Sequence, residues 1–177
     1  MMELHLMSVY DVACNLVLAE EGGWSADPED PGNWTGGKCG QGQLRGTKFG
    51  ICSRSYPAID ISNLTRADAE VIYRRDYWDK IQGDKLPPQI ALMVFDCAVN
   101  QGLAAAIGIL QTAAGVPPDG EIGPVTLAAV NGKAPIALLT EIASLRAVRY
   151  SHNPNVAKYG LGWYRRLMRV FVESVSI

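Results

Sequence analysis

Apolar residues recur at helical spacing along most of the chain. Over residues 8–21 (SVYDVACNLVLAEE), Val9, Val12, Leu16 and Ala19 follow a 3.6-residue repeat, and Gly22-Gly23 supplies the stop. Residues 24–63 lose the pattern and are rich in Pro, Gly, Asp and Asn. So long an irregular stretch inside a compact chain is usually functional or carries a hairpin, and a small β-hairpin is predicted near 44–53. Periodicity returns at Thr65-Arg66-Ala67-Asp68. Thr65 there caps free amides, Asp68 faces the positive helix end, and a helix is predicted to about Ile81. Pro87-Pro88 opens a third helix, 88–101, ended by Gly102, and a fourth spans 103–114. The run PPDGEIGP (117–124) is a turn, with Pro124 suited to the first turn of a short helix. Two more helices are predicted at about 135–150 and 160–175. No repeat is visible, and the strand content is too small for a sheet-based fold. The predicted class is mainly α with a small β-element.

Composition places this pattern in a globular protein. The chain has 177 residues, 48% hydrophobic and 19% charged, enough to bury a core in one domain. The charge is uneven. Residues 124–177 hold Lys133, Arg146, Arg149, Lys158, Arg165, Arg166 and Arg169 against Glu141 and Glu173, a net +5, which leaves −7 on residues 1–123. A basic tail suits an anionic polymer or surface, and equally a solvated helix face. The N-terminus shows no basic segment followed by an apolar run, so no secretory signal is expected. No apolar stretch reaches membrane-spanning length. Cys14, Cys39, Cys52 and Cys97 form no C-x-x-C pair. Cys14 and Cys97 suit buried thiols, and a Cys39–Cys52 bridge stays open.

The residue types narrow the chemistry. His5 and His152 are the only histidines, and neither has a neighbouring acid and nucleophile of triad character. Phosphate loops, dinucleotide glycine patterns, metal clusters and nucleic-acid motifs are missing, so neither cofactor nor metal is expected, nor a nucleic-acid partner. Carboxylate chemistry remains. Glu21 ends an apolar helix directly before Gly22-Gly23-Trp24. A carboxyl there loses hydration, its pKa rises, and it can act as a general acid. Glu20 is its neighbour and rival, and a solvated helix-end carboxylate is the plain alternative. Asp96 and Asn100 lie four apart on an otherwise apolar helix. Buried bracing suits Asp96, whereas Asn100 fits bracing or a cleft wall equally well. Trp78 and Trp163 read as core, and Trp34, in the polar loop, as the best candidate for stacking on a ligand.

The run AEEGGWSADPEDPGNWTGG (19–37) resembles the signature of glycoside hydrolase family 108: a helix-ending Glu-Gly-Gly-aromatic element followed by Asp-Pro, Asp-Pro-Gly and Thr. GTKFGI (46–51) is similar to the family's Thr-x-x-Gly-Ile element. FDCAVNQG (95–102) and LQTAAGVPPDGEIGPVTLAAV (110–130) resemble its predicted peptidoglycan-binding module. The likeness runs from about Tyr10 past Trp163. It implies a lysozyme-like, two-lobed helical fold in one domain, with a catalytic lobe at 8–90 and a helical lobe at 91–177. It also implies cleavage of peptidoglycan between N-acetylmuramic acid and N-acetylglucosamine, and it favours Glu21 over Glu20 as the acid. Phage-type lysozymes, which this fold resembles, add an Asp and a Thr that hold the attacking water. Asp30 is the first choice here and Asp27 the alternative, although an Asp before Pro-Gly also suits turn chemistry. Thr47 directly precedes x-x-Gly-Ile, and Thr35 is its rival. Substrate contacts are expected from Asn100, Trp34, Thr35 and Asp27. An inverting enzyme would hold its two carboxyls roughly 6.5–9.5 Å apart and a retaining one about 5–5.5 Å, a choice that stays open.

The implied protein is a monomeric phage or prophage endolysin. It would be made in the host cytoplasm and act on the wall after release, with the basic tail on anionic envelope polymers. A non-catalytic wall-binding or secretion-accessory protein is the alternative, and chitinase-like or chitosanase-like cleavage a third reading.

Overall fold

The computed structural model describes residues 7–20 and 23–177. Contacts divide the chain into two units: Cys14–Tyr73, and Arg74–Ile177 together with the start of the chain through Ala13. Helix α1 (Val9–Glu20) belongs to both. Its start is capped reciprocally. The Ser8 amide and hydroxyl donate to Asp11 Oδ2 at 2.9 and 2.8 Å, and the Asp11 amide donates to Ser8 Oγ at 3.1 Å.

The unit Cys14–Tyr73 contains the irregular segment and the predicted hairpin. Strands β1 (Thr47–Lys48) and β2 (Ile51–Cys52) pair antiparallel, Thr47 opposite Cys52 and Lys48 opposite Ile51. The connecting Phe49 and Gly50 both have positive φ, 52° and 72°, as the tightest right-twisted hairpin turn requires. An isolated bridge from Ser25 to Thr47 ties the preceding loop to this hairpin, and one from Trp34 to Leu44 closes that loop on itself. Helix α2 (Arg66–Tyr73) begins as predicted. The Thr65 hydroxyl and amide donate to Asp68 Oδ2 at 2.6 and 3.0 Å, and these bonds hold the Asp68 carboxyl below its ordinary range. Ala69, Ile72 and Tyr73 are buried on its apolar face, and Ile61 and Leu64 are buried in the segment before it.

The predicted continuation to Ile81 does not hold. After Tyr73 the chain widens into a π-helical turn, Arg74–Trp78, marked by the Asp79 amide reaching Arg74 O at 2.9 Å. In this register Trp78 is buried, and its Nε1 donates to Asp84 Oδ1 at 2.9 Å. Tyr10, Trp78 and Phe95 pack edge to face with centroids 5.3–6.0 Å apart. Gly83 lies so close to the Trp78 indole that an added Cβ would stand 2.3 Å from its Cε2. Periodicity records which residues face inward but not a change of helical register, so the pattern hid this break.

In the second unit, helix α3 (Pro88–Gln101) is buried from Ile90 to Ala98. It packs against α4 (Leu103–Ala114), α6 (Pro135–Ser151) and α7 (Val156–Ser176), while α5 (Pro124–Asn131) packs on α4. The turn at 117–124 is organised by buried Gln111. Its Nε2 donates to Asp119 Oδ1 at 2.6 Å and Glu121 O at 3.0 Å, and its Oε1 accepts from the Gly120 amide at 3.1 Å. Helix α7 starts at Val156, four residues before the predicted 160. The class is as expected, mainly α with one short hairpin, and seven α-helices lie among the described residues.

All four cysteines are free, so the bridge left open between Cys39 and Cys52 is not formed. Cys39 is exposed and Cys52 half-buried. Cys14 and Cys97 are buried, and burial pushes the Cys97 thiol up to about 11. Thiolate is the reactive form, so a disulfide reagent at pH 8 is expected to titrate Cys39 first and Cys52 more slowly. Cys14 and Cys97 should react only after denaturant is added. Time-resolved thiol counting checks this order.

Candidate active site

Glu21 and Gly22 lie outside the described residues. What the structure describes is the loop that follows, and its organiser is Asn33. This residue is buried, 1% exposed, within a stretch that is otherwise mostly open to solvent. Its Nδ2 donates to Asp27 O at 3.0 Å, and its Oδ1 accepts the Thr47 hydroxyl at 2.7 Å. Its backbone carbonyl accepts the amides of Arg45 and Gly46 at 2.9 and 3.1 Å, and its own amide donates to Asp30 O at 3.1 Å. One residue thus ties residues 27–30 to residues 45–47.

The predicted site residues take distinct places around this hub. Thr47 sits on β1, its amide and carbonyl both bonded to Ser25 at 2.8 and 2.9 Å, and its hydroxyl is half-buried on Asn33. Gly46 precedes it at φ +80°, where a Cβ would lie 2.4 Å from Ser25 O, so only glycine fits. Asp30 is exposed and caps the short 3-10 turn Pro31–Asn33, with Oδ1 accepting the Gly32 amide at 2.8 Å. Asp27 is exposed and closes its own turn, Oδ1 accepting the Glu29 amide at 2.9 Å. Each carboxylate therefore has one oxygen in turn chemistry and a second that can serve elsewhere.

Thr35 holds the 35–43 loop. Its Oγ1 accepts the Gln43 amide at 2.9 Å, and its amide donates to Gln43 O at 3.0 Å. Trp34 is half-buried, with Nε1 donating to Pro28 O at 2.9 Å. Trp24 is the more open tryptophan, 55% exposed.

Asn100 belongs to the other unit. Its Oδ1 accepts the Tyr150 hydroxyl. It lines a depression of about 210 Å³ with Gln101, Arg149, Tyr150, Asn153 and Trp163. The Trp163 ring stacks on Tyr150 at 5.4 Å and is half-buried, not fully in the core. Asp96 is the buried brace expected of it, bonded to Arg146 and Arg166 at 2.7 and 2.8 Å. Among the described residues, no group of three His, Cys, Asp or Glu is placed to hold a metal.

The sequence reading missed Asn33. An Asn after Asp-Pro-Gly looks like any turn residue, and only its burial reveals the hub. The structure joins Asp27, Asp30 and Thr47 through it.

Comparison with known proteins gives the family and the fold. Residues 14–102 match the family described as Glycosyl hydrolase 108, and residues 105–168 match a Predicted Peptidoglycan domain. Among solved structures, SagA of Brucella abortus is similar, with 31% identity, a TM-score of 0.79 and 94% of each chain covered. A search of curated proteins finds no match. The family match takes in the end of α1, the loop around Asn33 and the hairpin, and the fold agrees over nearly the whole chain. The chain therefore belongs to the glycosyl hydrolase 108 family, as a glycoside hydrolase of lysozyme-like, mainly-α fold that acts on peptidoglycan.

Proposed function

We propose that the protein is a muramidase that hydrolyses the β-1,4 bond between N-acetylmuramic acid and N-acetylglucosamine. The observation that carries this reading is the pairing, in one chain, of a glycosyl hydrolase match over 14–102 with a peptidoglycan-domain match over 105–168. In this reading Glu21 gives its proton to the glycosidic oxygen as the C1–O bond breaks. A water oxygen bonds to C1, and its proton passes to Asp30. Thr47 holds that water. Trp34 offers a ring face to a sugar, and Thr35 and Asp27 shape the loop that receives the glycan. Asn100, whose carboxamide oxygen is taken by Tyr150, keeps its N–H groups for an N-acetyl carbonyl.

Product chemistry tests the reading. Purified sacculi digested with the full-length protein should yield fragments with a free reducing N-acetylmuramic acid, identified by mass spectrometry after borohydride reduction. Reducing N-acetylglucosamine ends would assign the other glycosidic bond. Anhydro-muramic ends would remove water from the mechanism.

Asp30→Asn keeps an oxygen for the Gly32 amide but cannot take a proton. It is expected to lower kcat by about 10²–10⁴-fold, the range of general-base catalysis. Asp27→Asn should stay within tenfold of wild type, and the reverse ranking would move the base to Asp27.

The proposal extends to setting. The enzyme serves phage or prophage lysis, works as a monomer at the wall, and is aided there by the exposed C-terminal cations Lys133, Arg149, Lys158, Arg165 and Arg169 on anionic polymers. Cytosolic expression should lyse cells only when a membrane pore protein is co-expressed, and adsorption to envelopes should weaken as salt rises.

A further inference from the structure

We propose that Asn33 is a positioning residue for the hydrolytic water: it fixes the direction of the Thr47 hydroxyl proton, so that the Thr47 oxygen can only accept. This rests on the reading of Thr47 above as the residue that holds that water.

The hydrogen bonds themselves fix the polarity. Asn33 Nδ2 faces the Asp27 carbonyl at 3.0 Å, and a carbonyl can only accept, so the amide nitrogen must lie on that side. Oδ1 is then the atom that meets Thr47 Oγ1 at 2.7 Å, and an amide oxygen can only accept. The single hydroxyl proton of Thr47 is therefore committed to Asn33. Neither partner can turn away. The Asn33 backbone is held by Asp30 O and by the amides of Arg45 and Gly46, and the Thr47 backbone by both polar groups of Ser25.

The consequence falls on the water. A water meeting Thr47 Oγ1 must donate to it, and if it also donates to a carboxylate both its protons are occupied. Its lone pairs are then directed away from both partners, as attack on an anomeric carbon requires. If the Thr47 hydroxyl were free to rotate, it could donate to the water and occupy one of those lone pairs. A buried amide that never touches substrate thus sets the orientation of the nucleophile.

Steady-state kinetics on purified peptidoglycan, with the full chain from pH 5 to 8, tests this through Asn33→Asp, Thr47→Val and the double variant. Protonated, the introduced carboxyl reproduces both bonds of the amide; once ionised it has no proton for the Asp27 carbonyl, is repelled from it and leaves the place from which it fixes the Thr47 hydroxyl, and burial raises its pKa. N33D is expected to work within about threefold of wild type at pH 5. Between pH 5 and 8 its kcat should fall at least tenfold more than wild type's, with KM unchanged. In the Thr47→Val background that added pH limb should vanish, because Asn33 acts through Thr47.

Thr47→Val at wild-type kcat would remove the reading of Thr47 itself. A tenfold or greater loss in T47V, with no new limb in N33D or with the limb intact in the double variant, overturns the role of Asn33 while leaving that of Thr47. Should N33D melt at high pH, the wild type still decides. A hydroxyl proton held by a buried amide exchanges slowly enough to be seen by NMR, and a Thr47 hydroxyl proton exchanging at the rate of a solvated one overturns the proposal.

Discussion

Glu21→Gln is expected to abolish clearing of a peptidoglycan suspension while leaving the fold and wall binding intact. Glutamine keeps the size and one acceptor of the side chain but has no proton to give the leaving oxygen. Loss of a general acid removes about 10²–10⁴-fold of rate. Because the missing interaction is made chiefly in the transition state, kcat should carry the loss and KM should change little. The melting temperature should stay within a degree or two of wild type, and sedimentation with sacculi should be unchanged. Glu20→Gln is the matched control, one residue earlier on α1, and should stay within tenfold of wild type. If both variants clear the suspension normally, carboxylate catalysis at this helix end falls. If Glu20→Gln is the inert one, the acid moves one position. An inert wild type that still binds sacculi would turn the protein into a wall-binding module.

The legible parts of the molecule were those governed by periodicity and capping. The starts of α2, α3, α4 and α5 were set by Thr65, Pro88, Gly102 and Pro124, residues whose backbone constraints are local and visible in sequence. The hairpin was legible because so long an irregular stretch inside a compact chain usually carries one. The π turn at Arg74–Trp78 was hidden, since it depends on Trp78 reaching Asp84 and lying against Gly83, contacts that no local pattern records. The same holds at the site. Thr47 could be named from its place before x-x-Gly-Ile, but its partner Asn33 is fourteen residues away and becomes a hub only when the loop closes. Asp30 shows a different limit. The feature that marks it for turn chemistry is also the one that the family likeness marks for catalysis, and both readings draw on the same residues.

Asp96→Asn is expected to be the most destabilising conservative change in the chain. Asp96 lies on α3, 1% exposed. Its Oδ2 accepts Arg146 Nη2 from α6 at 2.7 Å, and its Oδ1 accepts Arg166 Nε from α7 at 2.8 Å. Burial works against the Arg146 charge, and the adjacent Asp96 carboxylate more than offsets it, so the guanidinium pKa ends above its ordinary value. Arg146 also donates to Met93 O at 3.3 Å, which anchors it to the same helix. Removing the carboxylate charge leaves the fully buried Arg146 guanidinium without its ion-pair partner. Breaking a buried pair in this way costs about 3–5 kcal/mol. For a chain of this size that is a fall in melting temperature of roughly 6–20 °C. Replacing all three residues by apolar ones, Asp96→Leu with Arg146→Met and Arg166→Met, should recover most of that loss, because the desolvated charges disappear together. Thermal unfolding of the single and triple variants separates the two terms. A triple variant no more stable than Asp96→Asn would mean that the hydrogen bonds from α3 to α6 and α7, not charge compensation, hold these helices together. Activity of the folded fraction of Asp96→Asn at 25 °C should be unchanged, since Asp96 is not placed in the catalytic loop.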